Sequence, residues 1–113
     1  MKENKFNQNS IQIKDLLFFD SLALYYVLQE TPLNVLATAF PVMDPRLSAT
    51  LLSILNEKQK KLLFFAIERE KDSQNLHSQE ALKSIADIAQ NLYEKGLIIK
   101  QGIYFYGKKK EIP

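Results

Sequence analysis

The sequence predicts an all-α domain of about six short helices, arranged as an armadillo-like stack or a bundle, with a small C-terminal β-hairpin. Helix-start residues recur along the chain, and each is followed by apolar residues at the spacing of one helical face. Two short extended runs, residues 97–100 and 103–106, on either side of Gln101 and Gly102 predict the hairpin. The periodicity of apolar residues alone does not distinguish the armadillo-like stack from the bundle.

Three helices are predicted in the first part of the chain. The first covers residues 11–18. Asp20 can cap the second, because its carboxylate can accept hydrogen bonds from the free N–H groups of a first turn. Thr31 and Pro32 combine a cap residue with a proline suited to a first helical position, and Pro41 should end the third helix.

Two further helices follow. Asp44 and Pro45 repeat the start signal, and the helix that they open carries a stripe of leucines. Asn56 can cap the fifth helix, residues 57–71, whose broad apolar surface predicts that it is the central helix. We expect the phenylalanine pairs of the chain to be buried in the core: Phe18, Phe19, Phe64 and Phe65.

The longest helix and the hairpin complete the domain. A polar connector at residues 71–77 should place His77 in a loop, and Ser78 should cap the sixth helix. Gly96 should end it, since glycine adopts the left-handed conformation common after helices. Two strands alone are marginally stable, so the hairpin should lean on the helices.

One domain accounts for the chain of 113 residues. Residues 1–10 form a polar tail that we expect to be disordered, residues 11–106 form the domain, and residues 107–113 form a basic tail. The apolar runs are about a third of the roughly 20 residues that a membrane-spanning helix needs. We therefore expect a cytoplasmic protein that does not span the membrane.

Composition argues against catalysis and metal binding. The chain has no cysteine and one histidine, which excludes a disulfide framework and a thiolate metal site and disfavours a catalytic triad. The acids are spread over surface faces, with no paired carboxylates inside an apolar segment. We expect no enzyme activity, no catalytic, cofactor or metal residues, and no small-molecule substrate.

Several residues fall in the register of a known pattern. Residues 11–16 read Ile-Gln-Ile-Lys-Asp-Leu where that pattern has Phe-x-Phe-Glu-Asp-Leu. Acidic, leucine, alanine and glycine positions match further along the chain: Asp20, Leu28, Glu30, Leu36, Ala37, Ala39, Ala81, Ile85, Leu92 and Gly96. Without a gap over residues 11–98, the chain resembles the six-helix C-terminal domain of the flagellar motor switch protein FliG.

The resemblance implies a part in the bacterial flagellar motor, in motility and chemotaxis. In that family the domain belongs to the rotor ring, where a ridge of charges meets the membrane stator by protein contact. Here Ser21, Gln29 and Pro41 replace an acid, an arginine and a lysine of the ridge. We therefore expect a short stand-alone or divergent paralogue, bound to rotor or stator proteins at the cytoplasmic face of the inner membrane in the basal body.

Four residues are candidates for partner contact. Asp20 and Glu30 are the acids that remain on the ridge, although a helix cap and a solvated surface acid are the simpler interpretations. Tyr25 and Tyr26 replace charge with aromatic surface, and helical geometry should turn one of the two outward, although a packing role in the core or on the surface is the simpler interpretation.

A winged-helix protein that binds DNA is the alternative. In that case the last helix, the hairpin and Lys108, Lys109 and Lys110 would contact the nucleic acid. Against it, the helix predicted from Ser78 onward holds fewer lysines than acids, and the net charge of the chain is only +2. We expect nucleic acid not to be the main partner.

Overall fold

The computed structural model describes residues 10–71 and 74–109, without the side chains of residues 74–76. It confirms a helical domain with a C-terminal hairpin, and the first of the six helices is a 3₁₀ helix, Ile13–Phe18. The other elements are α1 Ser21–Glu30, α2 Leu33–Ala39, a 3₁₀ turn Phe40–Val42, α3 Pro45–Ile54, α4 Glu57–Arg69, α5 Gln74–Glu94, β1 Ile98–Gln101 and β2 Tyr104–Gly107.

Three of the predicted helix caps are confirmed. Asp20 Oδ1 accepts a hydrogen bond of 2.9 Å from the Ala23 N–H at the start of α1. Asp44 accepts one from the first turn of α3. At α4, Asn56 and Gln59 exchange side-chain to backbone hydrogen bonds of 2.8 and 2.9 Å, which satisfies two donors at once.

Two other predicted starts are wrong. Thr31 ends α1, where its hydroxyl donates to the Val27 carbonyl at 2.6 Å, and the proline after it precedes α2. Ser78 lies buried inside α5, which begins at Gln74, so His77 is a helix residue and not a loop residue.

Pro41 lies in the 3₁₀ turn after α2, close to the predicted end of that helix. Residues 72 and 73 of the expected connector, the N-terminal tail up to residue 9 and residues 110–113 lie outside the described residues.

The centre of the domain is formed by α2 and α5. Helix α2 packs between α4 and α5, and α5 also contacts α1, the 3₁₀ helix and β1. The large side chains that are fully buried come from most of the elements: Leu16, Leu24, Val27, Leu47, Leu51, Leu63, Ile85 and Ile98. The prediction that α4 is central is wrong, because only Leu63 and Ala66 of that helix are buried.

The hairpin packs against helices, as predicted, and mainly against α1. Its strands are antiparallel and one residue later than expected, with Gln101 opposite Tyr104. Gly102 has φ of +64°, the conformation that a two-residue II′ turn needs at its first central position. The Asp20 N–H donates to the Phe105 carbonyl at 2.9 Å, so β2 is bonded to the start of α1.

A close approach of backbones fixes this contact. A side chain at Gly107 would begin only 2.6 Å from the Ala23 backbone nitrogen, so glycine is needed there.

Within the described residues, no helix is long and apolar enough to cross a membrane.

Candidate protein-binding surface

The two acids predicted for partner contact do not lie together. Asp20 precedes α1 and Glu30 is its last residue, so about ten residues at roughly 1.5 Å each place them about 15 Å apart. The Asp20 carboxylate already accepts hydrogen bonds from the N–H groups of Ala23, at 2.9 Å, and Gly107, at 3.0 Å. Asp20 therefore joins α1 to the hairpin, whereas Glu30 is an exposed acid.

The tyrosine pair divides as helical geometry requires. Tyr25 is 43% exposed, and its hydroxyl accepts a 2.9 Å hydrogen bond from Gln29 Nε2. Tyr26 is 6% exposed and donates its hydroxyl proton to the Lys108 carbonyl at 2.6 Å. Tyr25 is thus available to a partner, and Tyr26 holds the chain after β2 against α1.

Tyr25 borders a groove of about 260 Å³ between α1, α2, α3 and α4. Its lining includes the buried side chains of Leu36 and Leu63 and the exposed side chains of Leu33 and Leu62. Among the described residues, no charged side chain lines it; the lining residues are Tyr25, Leu28, Gln29, Thr31, Leu33, Leu36, Ile54, Leu55, Gln59, Leu62 and Leu63. We call this feature the α1–α4 groove.

Helix α4 exposes large apolar side chains next to the groove. Leu62 is 49% exposed, Phe64 51% and Phe65 65%. The expectation that the phenylalanine pairs are buried is therefore wrong for α4, and of the earlier pair only Phe19 is buried, since Phe18 is 41% exposed. Six consecutive apolar residues, 62–67, must point to all sides of a helix, so a helix buried on one side has to expose some of them.

Basic side chains surround the exposed apolar residues of α4. Lys58 lies one turn before Leu62, and Lys61 one turn before Phe65, so each lysine is a neighbour of an apolar residue on the helix surface. The Arg69 guanidinium lies 5.7 Å from the centroid of the Phe65 ring, within the range of a cation–π contact. We call Lys58, Lys61 and Arg69 the basic rim.

The acids of α4 are already paired. Glu57 forms an ion pair with Lys60, and Glu68 with Lys71, each with an N–O distance of 3.4 Å. Among the residues that the structure describes, Lys58 and Lys61 make no ion pair. Lys58 and Lys61 therefore place two positive charges outside these ion pairs, next to Leu62 and Phe65.

The groups with catalytic potential are surface groups. The hydrogen bond from Arg46 lowers the pKa of the Asp44 carboxyl, and this exposed pair lies at the start of α3. His77 is exposed, with Nδ1 3.5 Å from Glu80 Oε1. In the described part of the chain, no group of three or more His, Cys, Asp or Glu residues could hold a metal ion.

The basic residues of the DNA-binding alternative are dispersed. On α5, Lys83 is paired with Asp87 at 3.5 Å. The side chains of Lys108 and Lys109 are exposed next to the hairpin, and Lys110 lies outside the described residues. The last helix therefore presents little free positive charge to a phosphate backbone.

Comparison of the chain with family models, with curated proteins and with solved structures finds no match.

Proposed function

We propose that this chain is a non-catalytic protein–protein interaction module that binds its partner with the α1–α4 groove and the adjoining side chains of Leu62 and Phe65. One observation carries the proposal: Leu62 lines the uncharged groove and is 49% exposed, and Phe65, one turn later on the same helix, is 65% exposed. Contiguous exposed apolar surface in a folded domain is typical of a contact site for another protein.

The groove and the exposed side chains of α4 are arranged as in a typical protein–protein interface, with apolar residues at the centre and polar residues around them. Aromatic and aliphatic anchors at its centre would be desolvated on binding, and such residues carry most of the binding free energy of typical interfaces. Polar and charged residues surround them, here Gln29, Gln59 and the basic rim. The side chains at the centre come from helices, so little ordering is required when the partner binds.

The partner that we propose is a rotor or stator protein of the bacterial flagellar motor, and the location is the cytoplasmic face of the basal body. The residue pattern over 11–98 supports this part of the proposal, together with the six helices that the resemblance implies. The contact would differ from that of the family, because Asp20 is engaged by backbone donors and Ser21 and Gln29 carry no charge. The α4 surface would replace the charged ridge.

Affinity capture tests both parts. The tagged protein is used to recover partners from detergent-solubilised membranes of its native cells, with and without nuclease, and the recovered proteins are identified by mass spectrometry. The double variant Leu62→Ser, Phe65→Ser removes the proposed anchors. A matched control, Ile103→Ser with Tyr104→Ser, removes two exposed apolar side chains at the hairpin turn.

Rotor or stator proteins recovered by the wild type and the hairpin control, but lost with the α4 variant, are the expected result. Recovery that the α4 variant leaves unchanged would contradict the assigned surface. Recovery of nucleic acid with proteins that nuclease removes would favour the winged-helix alternative instead.

A further inference from the structure

We infer that the α1–α4 groove binds an amphipathic α-helix of the partner, with acidic residues on the side of its apolar stripe that faces α4. This inference rests on the proposed function and specifies the chemistry of the bound segment. Three features of the groove carry it: the type of its walls, its size and the charge beside it.

The walls favour a helix over an extended peptide. They are formed by side chains of α1, α2 and α4 and of the C-terminal end of α3, and no strand of the described residues lines the groove. An extended segment lying there would find no strand edge to pair with, and its own backbone groups would lose water without compensation. A helix satisfies its backbone internally and presents only side chains to the groove.

The size and lining fit a row of apolar side chains. The volume of about 260 Å³ is below the roughly 300–1,000 Å³ typical of small-molecule pockets. The lining is uncharged, and Tyr25, Leu33 and Leu62 are exposed along its edges. Leucine or phenylalanine side chains at positions i, i+3, i+4 and i+7 of a partner helix would cover these residues.

The positive charges of α4 favour a partner helix with acidic residues on the side that faces α4. Lys58 and Lys61 lie next to Leu62 and Phe65, and Arg69 is stacked on the Phe65 ring. On the opposite wall, Glu30 is the one charged residue in α1, and α2 has none. A partner helix seated in the groove therefore meets positive charge along α4, where carboxylates complete the interface.

The shape of the surface disfavours a lipid bilayer as the ligand. A flat membrane would contact the exposed side of α4 but could not fill the groove. Phe64 and Phe65 are about 100° apart around the helix, so they do not insert together.

Two synthetic peptides test the inference by fluorescence anisotropy with the full chain. Both have about 14 residues, four turns of helix, and the same leucine stripe at helical spacing. One carries glutamates beside the stripe and the other lysines at the same positions. We expect the glutamate peptide to bind about tenfold more tightly at low salt, since two or three exposed charge pairs and the loss of repulsion act together, and the ratio to shrink as salt is raised.

A charge swap on the protein gives the sharper result. The double variant Lys58→Glu, Lys61→Glu should reverse the preference, so that the lysine peptide binds more tightly than the glutamate peptide. The control Lys14→Glu, Lys109→Glu changes the net charge equally at exposed positions outside the groove, and it should keep the wild-type preference. Phe65→Ser should weaken both peptides alike. Circular dichroism establishes that each variant remains folded.

The inference is overturned if the two peptides bind wild type equally, if a peptide with the same composition but a scrambled stripe binds as tightly, or if the charge swap leaves the preference unchanged. Binding to vesicles of equimolar phosphatidylcholine and phosphatidylglycerol, lost with Phe65→Ser and without peptide binding, would overturn it in favour of a membrane surface. If the peptides fail while affinity capture still depends on Leu62 and Phe65, the inference falls and the proposed function stands. If capture also ceases to depend on them, both fall.

Discussion

Replacement of Asp20 by alanine should destabilise the whole domain. The variant loses the helix cap on the Ala23 N–H, which contributes about 1 kcal/mol at a typical N-cap. It also loses the hydrogen bond from the Gly107 N–H, a partly buried contact to a carboxylate oxygen of the kind that contributes about 1.5–3 kcal/mol. Together the two losses should lower the free energy of unfolding by about 2.5–4 kcal/mol, if they add.

Urea unfolding followed by far-ultraviolet circular dichroism measures this loss. Asp20→Asn keeps an oxygen that can accept both hydrogen bonds but removes the charge, so its loss should be about half as large. Glu30→Ala is the control, because that side chain is exposed and its removal should change the free energy by no more than about 0.5 kcal/mol. Charge reversal at Asp20 would therefore disturb folding before it reported on any partner.

The reasoning would be refuted if Asp20→Ala and Glu30→Ala unfolded at the same urea concentration with the same slope. That outcome would mean that water or a rearranged hairpin replaces both hydrogen bonds at no cost. A loss confined to the cap, about 1 kcal/mol, would show instead that the bond to β2 adds little.

Three further changes follow from the same packing. Gly107→Ala should lower the free energy of unfolding by about 1–3 kcal/mol, because the added methyl group would lie 2.6 Å from the backbone of α1, and urea unfolding would show it. Leu63→Ala should cost about 2–5 kcal/mol, since that side chain is fully buried, whereas Leu62→Ala, one residue earlier, should leave stability within about 0.5 kcal/mol and weaken partner capture. Tyr26→Phe removes the hydroxyl that donates to the Lys108 carbonyl, so unfolding should be easier by about 1 kcal/mol and residues after β2 should become more mobile in NMR relaxation.

The features that the sequence predicted correctly depend on neighbouring residues. A cap such as Asn56 acts on the N–H group three residues later, so a few residues contain the whole interaction. The turn at Gly102 is similarly local, because its two strands follow one another directly. The helices and the hairpin were therefore accessible without knowledge of the fold.

The errors concern contacts between distant segments. Ser78 can cap a helix by its chemistry, yet it lies buried within α5, four residues after the helix begins. Phe64 and Phe65 are as apolar as Phe19, but α4 buries Leu63 and Ala66 and packs Ile67 partly against the core. Which side of α4 remains open depends on how α2 packs, and the pattern of a single helix does not contain that information.

The candidate surface was missed for the same reason. Tyr25 was singled out because it stands beside Tyr26, and the structure does place one of the two outward. Most of its neighbours in the groove come from three other helices, so only the fold brings them together. The run of apolar residues at 62–67 was the available signal, since it exceeds what one face of a helix can bury.

The bond between Asp20 and Gly107 also bears on the order in which the domain can form. The two residues are 87 positions apart, so the first α-helix obtains its full set of bonds only after the last strand has been made. Contacts between such distant segments form late, because the entropy of closing the intervening chain is lost before they contribute. During synthesis on the ribosome, the N-terminal helices should therefore remain loosely held until residue 107 has emerged, and the domain should then complete its folding in a single cooperative step.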